Sequence, residues 1–146
     1  MNTQEFTNMN SSTRSHRLLS GCLRAFFLES KLATVDEVFR SLEPVMDPEH
    51  PISITDPQMS IVKHEYIEVD DKSIKVQFKP TVPYCPMGGL IGVLIRHRLE
   101  SVYPDSKINV VVLPGTHSLE EQVNEMIGDD QKYNQIVEQL KSRGMM

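Results

Sequence analysis

The stretch SIKVQFKPTVPYCPMGGLIGVLIRHRLESVYPDSKINVVVL, Ser73–Leu113, decides the fold. Its first residues alternate: Ile74, Val76 and Phe78 fall on one side of an extended chain, Lys75 and Gln77 on the other. That pattern predicts a strand over Ser73–Lys79 with one buried and one solvated face. From about Pro86 to Val102 the apolar residues recur at helical spacing. Leu90, Ile91, Leu94, Ile95, Leu99 and Val102 form the expected buried stripe, with Arg96, His97, Arg98 and Glu100 opposite. Pro104 stops this helix. Ile108–Leu113 (INVVVL) is apolar at nearly every position, which predicts a central strand buried on both faces. Strand, helix, strand in this order calls for a right-handed crossover that lays the second strand parallel to its predecessor.

Working upstream, Ser60–Val69 (SIVKHEYIEV) reads as a strand with Ile61 and Tyr66 as core candidates, and Asp70-Asp71-Lys72 as the turn into the next. The two strands should form an antiparallel hairpin. Asp47–Pro57 holds three prolines and reads as an ordered loop. Thr34 is an N-cap with Glu37 completing a capping box, ahead of a helical face of Val35, Val38, Phe39 and Leu42. Downstream, Ser118-x-x-Glu121 predicts a second capping box opening a helix through about Ile127. Asp129–Ser142 predicts a last helix with Tyr133, Ile136, Val137 and Leu140 inward. The sum is a small α/β domain, α+β in two layers: a mixed sheet from a β-hairpin plus a β-α-β crossover, with helices packed on it.

The chain of 146 residues suits one such domain. Residues 34–146 are assigned to it, and residues 1–33 to a flexible N-terminal extension. The extension carries four basic against two acidic residues, so the formal −5 of the chain divides into +2 and −7. An acidic domain argues against direct nucleic-acid binding, which wants a basic surface. No apolar run is long enough to span a bilayer. Leu18, Leu19, Leu23, Phe26, Phe27 and Leu28 predict a short amphipathic helix in the extension. That helix reads either as a mitochondrial-type presequence or as a lineage-specific extension, and Arg24 within it excludes a secretory signal. Two cysteines, Cys22 and Cys85, make no disulfide framework and point to a reducing compartment.

The chemistry candidate is Cys85. Pro86 fits the first position of the helix, which puts Cys85 at or beside its N-cap. Unsatisfied N–H groups and the helix dipole there favour thiolate. Gly88 and Gly89 weaken the first turn and make sense where something approaches the backbone closely. The competing reading is a small buried hydrophobe. The second constellation is Pro114-Gly115-Thr116-His117-Ser118 with Glu120 and Glu121. If the crossover reading holds, this loop and the one after Phe78 leave the same sheet edge, where ligands bind. Cys85 and His117 could then approach for thiol chemistry or partial metal ligation; the alternative is helix capping with a structural histidine. Asp47, Glu49 and His50 read as turn chemistry. No close pair of metal ligands, P-loop or dinucleotide fingerprint is present.

Asp47-Pro48-Glu49-His50-Pro51, then Phe78-Lys79-Pro80-Thr81-Val82-Pro83-Tyr84-Cys85, Leu90-Ile91-Gly92 and Pro114-Gly115-Thr116-His117-Ser118 occur in that order. Together they resemble the SufT/PaaD-like iron–sulfur assembly domain family, in its eukaryotic galla-type (MIP-eighteen-like) branch. The resemblance runs from about Val35 to Leu140. It implies a small α/β fold, a reactive cysteine at Cys85, and supporting residues Thr81, Pro83, Thr116, His117 and Glu120. It also implies a non-enzymatic adaptor standing between a WD-repeat β-propeller scaffold and a HEAT-repeat adaptor. Such a complex delivers [4Fe–4S] clusters to cytosolic and nuclear apoproteins, with a link to chromosome segregation through those clients. Some relatives form domain-swapped homodimers. After Cys85 the chain has Pro86-Met87-Gly88-Gly89 where relatives often have Ser-Met-Ala-Thr, and residues 1–33 match nothing in the family. A [4Fe–4S] cluster takes four thiolates, so Cys85 is expected to be a shared or transient ligand with no tightly bound cofactor. The alternative is a thiol-dependent enzyme using Cys85 with His117.

Overall fold

A computed structural model describes residues 32–84 and 88–146. Cys22, the expected amphipathic helix at Leu18–Leu28 and Cys85 lie outside the described residues. Ala33–Met146 form one compact unit. In chain order its elements are α1 (Val35–Leu42), a 3-10 turn (His64–Tyr66), β1 (Ile67–Val69), β2 (Ser73–Phe78), α2 (Gly88–Val102), β3 (Lys107–Val112), α3 (Glu120–Gly128) and α4 (Asp130–Ser142).

The sheet has the order β1-β2-β3, with β1 antiparallel and β3 parallel to β2. The expected hairpin is present, and β3 lies parallel to β2 after the intervening α2, as expected. Register sorts the side chains by face, because directly paired residues share one. Ile67, Val76 and Val110 are aligned, as are Phe78 and Val112, and Val69, Ile74 and Ile108. This face carries the core. The opposite face holds Glu68, Lys75, Gln77, Lys107 and Asn109, which are exposed or half-buried. A sheet with one covered face is a two-layer domain.

The capping box of α1 forms as expected: Glu37 N–H donates to Thr34 Oγ1 at 3.2 Å, and Thr34 N–H to Glu37 Oε2 at 3.0 Å. Val38 and Leu42 point into the core. α4 starts on Asp129, whose carboxylate accepts from the N–H groups of Gln131 and Lys132, and it buries Tyr133, Val137 and Leu140.

Four expectations change. The strand expected at Ser60–Val69 shrinks to Ile67–Val69. Ser60 takes φ +52, Ile61 and Val62 are both buried, and His64–Tyr66 coil into a 3-10 turn, leaving Tyr66 only half-buried. Two consecutive buried residues cannot lie on a one-sided strand. Second, β3 is an edge strand and β2 the central one. Third, the inward stripe of α2 is Gly88, Gly89, Ile91, Gly92, Val93, Ile95 and Leu99. Leu90 and Leu94 are half-buried and Val102 is exposed. Fourth, the expected solvated face of Arg96, His97 and Arg98 is largely an internal tie. Arg98 Nε donates to Ser41 O at 2.9 Å. Arg96 donates to Glu100 at 2.8 Å, to Asp130 at 2.6 Å and to the carbonyl of Ile127 at 2.6 Å, and its guanidinium lies 4.0 Å over the Tyr133 ring. Burial lowers the Arg96 pKa but is outweighed by these carboxylates, so it stays above its ordinary value. Burial and the hydrogen bond to Glu100 raise that of Tyr133.

Candidate functional site

Parallel pairing sends the chain out of β2 and β3 at the same edge. Phe78 pairs with Val112, and Leu113 N–H donates to Phe78 O at 2.8 Å. The two following loops are therefore neighbours from their first residue. They are stitched together further out, where Ser118 donates twice to the carbonyl of Pro83, from its N–H at 3.0 Å and its Oγ at 3.1 Å. Ser118 is thus spent on a contact 35 residues away. The capping box expected at Ser118–Glu121 does not form; α3 begins at Glu120 behind Leu119, with no side-chain cap.

Within the β3–α3 loop, Gly115 has φ +76, a left-handed conformation that glycine adopts without strain. Its N–H is taken by Glu120 Oε2 at 2.9 Å, and Thr116 Oγ1 donates to Leu113 O at 2.6 Å. Thr116 and Glu120 therefore shape this loop. His117 is buried, and its Nδ1 accepts from Leu119 N–H at 3.1 Å. In the neutral ring the proton accordingly sits on Nε2, an assignment made from that hydrogen bond. Nε2 faces the first residue of α2: a Cβ added to Gly88 would lie 3.1 Å from it. Gly89 is likewise covered, by Met126 Sδ at 3.0 Å from such a Cβ. The close approach expected at the glycine pair is thus made by the protein's own side chains.

The β2–α2 loop is held from its other side. Thr81 Oγ1 donates to Asp47 Oδ2 at 2.8 Å, across 34 residues of sequence. Asp47 is 4 % exposed. Its other oxygen accepts from Glu49 N–H at 2.8 Å, and His50 Nδ1 lies 3.5 Å from Oδ2. The turn expected at Asp47–Pro51 is present, but turn chemistry alone underrated this residue. The signal was available in Asp47-Pro48-Glu49-His50-Pro51 standing in one ordered series with the cysteine segment.

The expected site residues are thereby partly assembled. Thr81 and Pro83 are tied to Asp47 and Ser118, and His117 seats against Gly88. The chain enters residues 85–87 from one tethered segment and leaves them at another; Cys85 itself lies outside the described residues. Among the described residues no group of three or more His, Cys, Asp or Glu is arranged to hold a metal ion, and no helix is long and apolar enough to cross a membrane.

A small α+β domain whose two parallel strands feed tethered loops at one sheet edge is the class defined by this fold and site. Residues 35–112 match the family described as "Iron-sulfur cluster assembly protein". A MIP18 family protein of Caenorhabditis elegans is 33% identical over 136 residues, covering 90% of this chain and 81% of the relative. The MIP18 family protein galla-2 of Drosophila melanogaster is 35% identical over 99 residues, covering 66% of this chain and 62% of the relative. Cytosolic iron-sulfur assembly component 2B of Mus musculus is 34% identical over 99 residues, covering 66% and 60%. The chain thus spans most of the nematode relative and about three fifths of the other two. Among solved structures, a DUF59 domain of unknown function from Bacillus anthracis is similar, with a TM-score of 0.49 and 23% identity over 64% of this chain and 86% of that one. The chain belongs to the MIP18 family of iron–sulfur cluster assembly proteins.

Proposed function

We propose that this chain is a non-enzymatic adaptor and cluster-handling subunit of cytosolic iron–sulfur assembly. The observation that carries the reading is the family match over residues 35–112, which takes in the Asp47 loop and the segment from Thr81 to Cys85. Relatives named cytosolic iron-sulfur assembly component 2B support the cytosolic branch. In this reading Cys85 is the working thiol. A [4Fe–4S] cargo takes four thiolates, and the chain has two cysteines. Cys85 therefore acts as a shared or transient ligand completed by a partner, a second protomer or the client. The partners are a WD-repeat β-propeller scaffold and a HEAT-repeat adaptor, the recipients are cytosolic and nuclear apoproteins, and the effect on chromosome segregation runs through those clients.

Replacing Cys85 with Ala should leave folding and partner binding intact and reduce cluster loading of aconitase-like and polymerase clients. Normal client loading in Cys85→Ala cells refutes the role. The seating of His117 Nε2 at the start of α2 supports a second reading, a thiol-dependent enzyme using Cys85 with His117. Turnover of a small substrate by the isolated chain, with a covalent adduct at Cys85, would favour it; recovery of a β-propeller and a HEAT-repeat protein as stoichiometric partners favours the adaptor.

A further inference from the structure

Among the described residues eight large apolar side chains are exposed. Four of them, Met46 (47 %), Val82 (39 %), Tyr84 (77 %) and Leu119 (39 %), belong to the three loops that build the candidate site. Each lies within three residues of one of the bonds that join those loops, Thr81–Asp47 and Ser118–Pro83. Apolar exposure on loops that are bonded to one another, rather than on unconnected segments, marks a surface that a partner covers. An open cleft of about 390 Å³, lined by His117–Gln122, adjoins it.

Charge selects the occupant. The same loops and the first turn of α3 carry Glu49, Glu120 and Glu121, against Lys79 and the half-exposed His50. A second copy would bring these acids face to face, at a repulsive cost. A basic partner meets complementary potential and an apolar seat together.

We infer that this apolar collar with its glutamate rim is a docking surface for a basic segment of a partner protein. An aromatic or aliphatic side chain of that segment seats among Met46, Val82, Tyr84 and Leu119, and flanking Lys or Arg residues face Glu120 and Glu121. Tyr84 is the anchor, since exposed aromatics at the centre of such patches carry most of the binding energy. The inference deepens the adaptor reading and rests on it for the existence of a partner.

The test uses the full chain and three short synthetic peptides sharing a Trp-Leu centre, flanked by Lys, by Ser or by Glu. Binding is read by fluorescence anisotropy and by amide shifts in NMR. The Lys-flanked peptide should bind, shift amides of residues 46, 47, 49, 81, 82, 84 and 117–122, and lose at least about tenfold in affinity in Tyr84→Ala. Glu121→Lys should weaken it too, and binding should fall as salt screens the rim. Binding of the Glu- or Ser-flanked peptide as tight as the Lys-flanked one overturns the inference. So does no binding of the Lys-flanked peptide at ~1 mM, a shift map elsewhere on the domain, or a self-associated dimer dispersed by Tyr84→Asp. Cys85→Ala should bind the Lys-flanked peptide like the wild type while failing in client loading. The docking surface and the thiol role therefore stand or fall separately.

Discussion

Of the three glycines at the start of α2, Gly92 leaves the least room for a side chain, and Gly92→Ala tests the packing logic of the domain. A Cβ there would overlap Ile127 Cδ1 and stand 3.0 Å from both Ile127 Cγ1 and Phe78 Cε1. Two effects oppose. Alanine in a helix interior is favoured over glycine by about 1 kcal/mol. Forcing a methyl into a filled core costs about 1–3 kcal/mol. Relief decides the sign. Ile127 is 1 % exposed and Phe78 fully buried, so neither can turn outward. The steric cost should therefore sit at the upper end and leave the variant about 1–2 kcal/mol less stable, which for a domain of this size lowers Tm by about 3–8 °C. Gly89→Ala is the control. Its neighbour is the flexible, half-buried Met126, so the propensity gain should survive and stability should hold or rise slightly. The second arm is Ile127→Val, which removes Cδ1 and alone costs about 0.5–1.5 kcal/mol. In the double variant the loss should fall short of the sum by at least ~0.5 kcal/mol, because the clashing atom is gone. Urea denaturation of the wild type and the four variants measures this. A Gly92→Ala protein more stable than wild type, or strict additivity with Ile127→Val, refutes the reasoning.

Thr81→Val should cost about 1–2 kcal/mol in the same assay, because it takes one donor from the buried Asp47 carboxylate; Asp47→Ala, which strands both Thr81 Oγ1 and Glu49 N–H, should cost more. Tyr133→Phe removes a hydrogen bond to Glu100 and should cost about 1 kcal/mol, whereas Arg96→Lys should cost more than that, since one ammonium cannot serve Glu100, Asp130 and Ile127 O in the guanidinium's planar geometry. Asp129 is held below its ordinary carboxylate value of 3.8, chiefly by the Lys132 N–H and also by that of Gln131. A depressed folded pKa gives stability that is full above the unfolded value and lost as pH falls through the folded one. Asp129→Asn should therefore narrow its gap to the wild type in thermal melts as pH is lowered below about 4, and a gap independent of pH would exclude this linkage.

What could be read from the sequence divides along a physical line. β2 was legible because one-sided burial writes itself as alternation, and α1 because both halves of its capping box are local. The same local grammar failed at Ser118-x-x-Glu121, since the Pro83 carbonyl, 35 residues upstream, takes both Ser118 donors. It failed at β3 for a related reason. INVVVL looks central because nearly every residue is apolar, yet Lys107 and Asn109 face solvent, and on the outer edge the N–H of Val112 is taken by a side chain, Asn124 Oδ1, at 2.8 Å. No single-sequence pattern tells whether such an N–H meets another strand or a carboxamide. Arg96 and Arg98 read as surface because charge usually is, and their burial depends on acceptors on other elements: Asp130, Ile127 O and Ser41 O.

The glycine pair joins these threads. From sequence, Gly88-Gly89 meant room for something to approach the backbone closely. The room is filled by His117 and Met126, from the loop and helix that follow β3. The start of α2 is therefore positioned from the β3 side, while Thr81 on the preceding segment is positioned from the Asp47 side. Asp47 on Thr81 before residue 85, and His117 and Met126 on Gly88 and Gly89 after it, share no residue, so each can be cut without cutting the other. In the role proposed above for Cys85, a thiol that meets ligands supplied by another chain gains nothing from a preformed cage, but it does need fixed flanks so that the partner finds it in one place. Loosening either flank should then impair handover of a cluster while leaving the domain folded, a separation that a merely structural pair of contacts would not produce.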